Sequence, residues 1–286
     1  MRRTDRPTGG RAVLSLGLLI IPASVSAQED CFPGPESNEA KTLAIYSVPL
    51  AYAPLVAPAR ENPAWRVSLE VSTIPNVDDA TATPTICRPG KGPENTDLLP
   101  ALVRPRVAAR LGAGLVLDAS WIPPVRIHGV KSNLFGLALA WSGVMSRSVT
   151  VGARVHGTFG EVNAPITCPE EALDDPASEC FEGTESDDSY KPNIFGADVR
   201  LGLGTAESRV HPYAGLGYTR LMPRFQVNFT NSAGELDDRK VIVDMNRLAL
   251  FGGLSWRLGQ SLGLAGEVYS TPADAVTLRI AFGGSF

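Results

Sequence analysis

The chain has 286 residues, 44% of them hydrophobic and 20% charged, with a formal charge of −4. This length suits one large domain or two small ones, and the mixture of apolar and charged residues excludes intrinsic disorder. The acidic balance argues against nucleic acid as a partner.

In chain order, the first feature is a targeting segment. Arg2, Arg3, Arg6 and Arg11 form a basic region, Ala12–Ile21 an apolar one, and Val25–Ala27 a small-residue cleavage site. Residues 1–27 therefore read as a signal peptide, with a mature start near Gln28 and a mature charge of about −7. Ten apolar residues are too few to span a bilayer, which takes about 20 in a helix. The Arg2-Arg3 pair lacks the apolar residues of a twin-arginine signal, so general secretion is expected. Cys31 follows no lipobox, so no lipid anchor is expected there.

Residues 28–64 form an N-terminal segment outside the strand pattern. Ser37 or Asn38 is a suitable helix cap, while Pro49 and Pro54 limit the segment to one short helix.

From Trp65 onward, ten segments alternate between apolar and polar residues: 65–75, 102–111, 115–123, 126–141, 149–159, 192–204, 210–230, 240–256, 262–270 and 275–286. Trp65, Val67, Leu69 and Val71 share one parity, and Phe195, Ala197, Val199, Leu201 and Leu203 share another. Alternation of this kind marks a strand with one apolar face. The seventh segment changes phase between Tyr218 and Leu221, which predicts a β-bulge.

A soluble sandwich would turn the apolar face inward, and a membrane barrel would turn it to lipid. Three features favour the barrel. Long polar connections at 76–101 and 160–191 and a moderate one at 231–239 fall on one side, and short ones at 112–114, 142–148, 205–209 and 257–261 on the other. The connections at 124–125 and 271–274 are short, so the rule is one-sided. Trp65, Trp141, Trp256 and Phe286 mark the short-turn end of the apolar faces, and Trp121, Phe159 and Phe195 the other end, as a pair of aromatic girdles would. The segments also approach the 9–11 residues of a tilted membrane strand. The expected fold is all-β: a transmembrane antiparallel up-and-down β-barrel over residues 65–286, of about ten strands within a range of eight to twelve.

The terminal segment "TLRIAFGGSF", with Leu278, Ile280, Phe282 and Phe286 on one parity, resembles the closing strand of bacterial outer-membrane barrels such as the OmpA- and OmpW-like small barrels. That resemblance implies recognition by the barrel-assembly machinery, residence in the outer membrane, and lipid and lipopolysaccharide as surroundings. Asn62, Pro63 and Ala64, just before the first segment, resemble the Asn-Pro-Ala that closes the N-terminal hatch of FadL-type hydrophobic-compound transporters. That family has fourteen strands, against the ten counted here.

The opposite parity would face the lumen. It collects Arg66, Arg106, Arg110, Arg154, Arg200, Arg247 and Arg279, with Glu70, Asp118, Asp198, Glu267 and His156. The planar guanidinium forks suit a crowded network with carboxylates. Such a network either fills the lumen and braces the wall or lines a polar path for a solute.

Four cysteines in an exported chain suit two disulfides, for which three connectivities exist. Cys168 and Cys180 share one long connection and are expected to pair. Cys31 would then reach Cys87 only if the N-terminal segment started outside and ran down the lumen as a plug. A periplasmic leader with Cys31 unpaired or paired elsewhere is the other arrangement.

No catalytic, metal or cofactor site is expected. The chain has only three histidines, His128, His156 and His211, and a hairpin turning at Met145 would set His156 opposite Leu134, with Ser132 diagonal to it. The acidic residues of 160–191 lack calcium-loop spacing and read as a solvated surface loop. The expected function is passive or facilitated passage of a small solute, hydrophobic or not, across the outer membrane; a structural or adhesive barrel with a filled lumen is the rival, and a barrel hydrolase a distant third.

Overall fold

The computed structural model describes residues 30–59, 63–205 and 207–285. The signal peptide, Asn62 and Phe286 lie outside the described residues. Ten strands form the wall: β1 (Trp65–Thr73), β2 (Ala101–Gly112), β3 (Leu115–Ile122), β4 (Val130–Val144), β5 (Val149–Ala164), β6 (Ile194–Leu203), β7 (Val210–Leu221), β8 (Met245–Arg257), β9 (Leu262–Thr271) and β10 (Ala275–Ser285). Each pairs antiparallel with its sequence neighbours, and β10 pairs with β1 through Leu69 and Phe282, so the sheet closes on itself. Closure leaves no strand edge in the wall, the one arrangement in which a sheet crosses lipid without stranded backbone groups.

Alternation along each strand sets which side chains face out. On β1, Trp65, Val67, Leu69 and Val71 are exposed while Glu70 and Ser72 are buried. On β10, Val276, Leu278, Ile280 and Phe282 are exposed, and Thr277 and Arg279 are buried. A row of large apolar side chains each about half exposed on every wall strand is a cost in water and a fit to hydrocarbon. At the end with long connections, here the outer end, Trp121, Phe135 and Phe159 stack across β3, β4 and β5 at centroid separations of 6.1 and 5.8 Å. Trp65, Trp141 and Trp256 sit at the inner end, beside the short turns.

Four details depart from the sequence expectations. First, no bulge occurs at Tyr218–Leu221; β7 stays in register with β8 through Leu221 and Met245, and the ladder ends at Met222-Pro223 because proline has no N–H to donate. The irregularity lies between Arg110 and Gly112 instead. Second, Arg224–Gln226 and Lys240–Ile242 are not wall but parts of a cap, so two of the ten segments each divide. Third, Val144 pairs with Thr150, which places His156 opposite Ala138 rather than Leu134. Fourth, β5 runs on to Ala164 and carries the sheet over the outer mouth.

The cap grows from that extension. Val162 of β5 pairs with Tyr190 in the short strand Asp188–Lys191, Tyr190 with Phe225, and Phe225 with Val241. Cys31 adds a parallel bridge to Val241, with its N–H 2.7 Å from the Lys240 carbonyl. The N-terminal segment thus starts as the edge of the cap sheet at the outer end.

Candidate functional site

From Cys31 the chain turns down into the barrel as helix α1 (Asn38–Leu50) and an extended run to Ala59. Ser37 caps α1, accepting from the Ala40 N–H at 3.2 Å, and Glu39 accepts from the N–H groups of Thr85, Ile86 and Cys87. Disulfides join Cys31 to Cys87 and Cys168 to Cys180. The first holds the start of the segment to the loop after β1; the second closes a ring of the loop after β5.

The far end of α1 presents free carbonyls, as every helix does. Wall arginines satisfy them. Arg279 donates to Ala51 at 2.6 Å and Val48 at 2.8 Å, and Arg104 donates to Leu50 at 3.1 Å. Positive charge at a helix C-terminus also opposes the negative end of its dipole. Glu70, wholly buried, lies between Arg104, Arg106 and Arg279 at 3.9, 3.0 and 3.7 Å. Arg106 also meets Asp118 at 2.7 Å and stacks over the Tyr52 ring at 4.3 Å, while the Tyr52 hydroxyl donates to Asp118.

Below Tyr52 the segment has no helix and is held by its backbone. Ala53 and Val56 accept from Arg106 and Arg200, Pro58 accepts from Thr150, and Ala59 accepts from Ser142. Leu55 donates to Glu267 at 3.1 Å and Ala57 to Ser255 at 2.8 Å. Leu55 holds φ at 57°, a left-handed conformation that costs a non-glycine residue about 1 kcal/mol or more. Two wall glycines make room: a Cβ at Gly136 would come within 2.7 Å of the Tyr52 ring, and one at Gly202 within 2.9 Å of Pro58. This plug and its polar partners occupy the middle of the lumen.

The structure places Arg66, Glu70, Arg106, Asp118, Arg154, His156, Asp198, Arg200, Glu267 and Arg279 on the inner face of the wall. Arg154 meets Asp198 at 2.6 Å, and His156 lies 3.5 Å from the same carboxylate. Arg110 is exposed at the inner rim, and Arg247 pairs with Asp274 at 2.8 Å at the outer rim, so neither joins the central network. Ser132 faces Val162, six residues along β4 from the row of His156, or roughly 20 Å at the strand rise. Sequence reasoning missed Arg104, Tyr52, Tyr213 and Tyr269. Arg104 shares the parity of Arg106 in the same strand, a signal that was available. Tyr213 donates to Glu267 at 2.9 Å, and Tyr269 lies under Arg279 at 4.6 Å.

The acidic connection 160–191 is not simply a solvated loop. Glu179 pairs with Arg88, which also meets Glu94 at 3.2 Å. Asp188 is buried, accepting from Thr167 at 2.6 Å, Asn228 at 2.8 Å and Ser186 at 2.9 Å. Burial pushes its carboxyl above the ordinary aspartate value, against the pull of those donors.

Between cap and plug, at the outer mouth, is a cavity of about 130 Å³. Leu43, Tyr46 and Leu50 of α1 form one side, and Leu102, Leu134 and Phe225 the other. At the inner end, a wider space of about 620 Å³ lies between the run 54–59 and β9–β10. The Arg–carboxylate layer and the end of α1 separate the two.

A closed antiparallel wall with an apolar belt outside and ionised groups within defines a transmembrane β-barrel protein. No family model matches the chain, and no curated relative matches it. Among solved structures it is similar to Ail, the attachment invasion locus protein of Yersinia pestis (11% identity, 79% of this chain and 98% of that one, TM-score 0.31). It is also similar to the translocator domain of the autotransporter NalP from Neisseria meningitidis (9% identity, 87% and 95%, TM-score 0.35) and to the Pseudomonas putida toluene transporter TodX (12% identity, 91% and 74%, TM-score 0.30). All are outer-membrane barrels; at these scores the likeness carries no argument about a shared role.

Proposed function

We propose that this protein sits in a bacterial outer membrane and admits a small apolar solute at its outer mouth, with its own N-terminal segment as the gate. The observation that carries this reading is the cavity between α1 and the wall. Its accessible surface is mostly apolar, although Glu39, Arg88 and Glu94 also line it, and α1 of the N-terminal segment forms one side. An apolar void of about 150 Å³ is dry and accepts benzene, so a one-ring hydrocarbon suits this one. Release would proceed by rearrangement of the run 51–59 into the wider inner space, while Cys31–Cys87 keeps the top of the plug in place. In this setting the outward belt meets lipid and lipopolysaccharide, and the β10 seam is the part read by the assembly machinery. The central charged residues act as the latch.

A second reading, a closed structural barrel, draws on the same latch: ten or so wall-to-plug hydrogen bonds need no solute to explain them. Toluene flux separates the two. In asymmetric bilayers with an outer leaflet of lipopolysaccharide, the protein is expected to raise toluene influx several-fold, and Leu102→Trp, which fills the cavity, to cancel the increase. Flux equal to that of protein-free bilayers would favour the closed barrel.

A further inference from the structure

The polar layer inside the wall does not balance. Among the described residues it holds six guanidinium groups (Arg66, Arg104, Arg106, Arg154, Arg200 and Arg279) against four carboxylates (Glu70, Asp118, Asp198 and Glu267). Arginine stays protonated in proteins, so the excess cannot be removed by loss of a proton. An uncompensated charge behind a lipid-facing wall is expensive.

The imbalance is local. In the outer part of the layer, Arg104, Arg106 and Arg279 surround Glu70, and the carbonyl end of α1 adds the negative pole of its dipole. In the inner part, Asp198 is committed to Arg154, Glu267 accepts from the Leu55 N–H and the Tyr213 hydroxyl, and Asp118 is shared between Arg106, the Tyr52 hydroxyl and, at 3.9 Å, Arg66. Arg200 is left with one bond, to the Val56 carbonyl at 3.2 Å, and no carboxylate within 4.0 Å among the described residues. It is 7% exposed, its Nε has no partner, and neither has Nη1 of Arg154.

Both side chains line the same small space. It measures about 20 Å³, beneath the Pro54–Ala59 run, and Arg66 lines it too. Among the described residues Asp118 is the one carboxylate on its lining, already engaged as described. A space of this size holds one water-sized particle. Pro54, Val56, Pro58 and Arg66 also line the wider inner space, so the two adjoin and an ion can arrive from the inner end.

We infer that Arg200, Arg154 and Arg66 form an internal site for one small inorganic anion of halide size, which supplies the partner that Arg200 lacks and holds the Pro54–Ala59 run against the wall. Planar guanidinium donors lining one small space favour an anion over water, and the size of the space favours a monatomic one. The site is independent of any apolar solute at the outer mouth.

Bromide is the probe. Crystals of the folded protein grown in sodium bromide are expected to show an anomalous peak within hydrogen-bond distance of Arg200, absent in Arg200→Gln. In detergent, the thermal midpoint of the wild type should rise saturably with bromide, and Arg200→Gln should weaken the half-maximal concentration about tenfold or more. Gluconate at equal ionic strength should not reproduce the rise. Absence of a wild-type peak, or equal midpoints in bromide and gluconate, would overturn the site. If Arg200→Gln does not reach the heat-modifiable folded form, Arg200→Lys serves in its place: weakened but retained bromide binding supports the site, and unchanged binding counts against Arg200.

Discussion

The upper and lower halves of the plug are held in different ways. The upper half, Cys31 to Ala51, has a covalent tether, a capped helix and apolar packing through Leu43, Val48 and Leu50. The lower half, Tyr52 to Ala59, has no helix and no tether; only the small side chains of Ala53 and Ala57 reach the main apolar core, and Leu55 and Val56 pack into a minor cluster with Ala265 and Ala281. It is fixed by side chains of the wall reaching its backbone. Apolar burial is indifferent to direction, whereas hydrogen bonds to one strand of backbone fail together if that strand shifts. The contrast assigns motion to the lower half and retention to the upper half.

Replacement of the lower half is the strongest way to break that contrast. Substituting residues 52–59 with a glycine–serine run of equal length removes Tyr52, both prolines and the bulk at Leu55 while leaving Cys31–Cys87 and α1 in place. The lower lumen is then expected to hydrate, and ion conductance in planar bilayers to rise from closed to resolvable single-channel steps. Conductance that remains closed would show that α1 and its arginine collar seal the barrel alone.

The collar itself comes next. Glu70→Gln leaves Arg104, Arg106 and Arg279 around a neutral group in a fully buried position. Removing one partner of such a cluster costs about 3–5 kcal/mol. Reversible urea unfolding in lipid vesicles should show that loss. A loss below about 1 kcal/mol would mean that the α1 dipole and water already balance the arginines.

Much of this architecture was legible in the residues, because a strand with one face in lipid writes its orientation at every second position. Trp65 to Val71 and Phe195 to Leu203 report the wall directly, and the polar parity names most of the collar. Turn chemistry was less legible. The phase change after Tyr218 looked like a bulge because alternation resumes beyond it; Pro223 ends the ladder there and the chain continues into the cap. The register of β4 against β5 was misjudged because the hairpin turns nearer Arg147 than Met145, and nothing in the alternation fixes that pivot. The lower plug left the faintest trace. "AYAPLVAPA" has neither helical nor strand periodicity, since its partners are wall side chains rather than a ladder.

The smallest effect tests the upper half through pH. Burial alone would raise the Glu39 carboxyl; the N–H groups of Cys87, Ile86 and Thr85 outweigh it and hold the group below the ordinary glutamate value. A carboxyl depressed in the folded state lends stability above its unfolded pKa and loses it as pH falls through the folded one. Asp188 and Glu94, raised by burial, run the other way and favour the folded cap as pH falls. The difference in thermal midpoint between wild type and Glu39→Gln should therefore be largest near neutrality, worth about 1 kcal/mol, and vanish on acidification below the glutamate range. Persistence of that difference at the acid end would mean that Glu39 holds the Thr85–Cys87 turn by shape and not by charge. The upper half would then be insensitive to acid, and any pH-dependent opening would have to start below Tyr52.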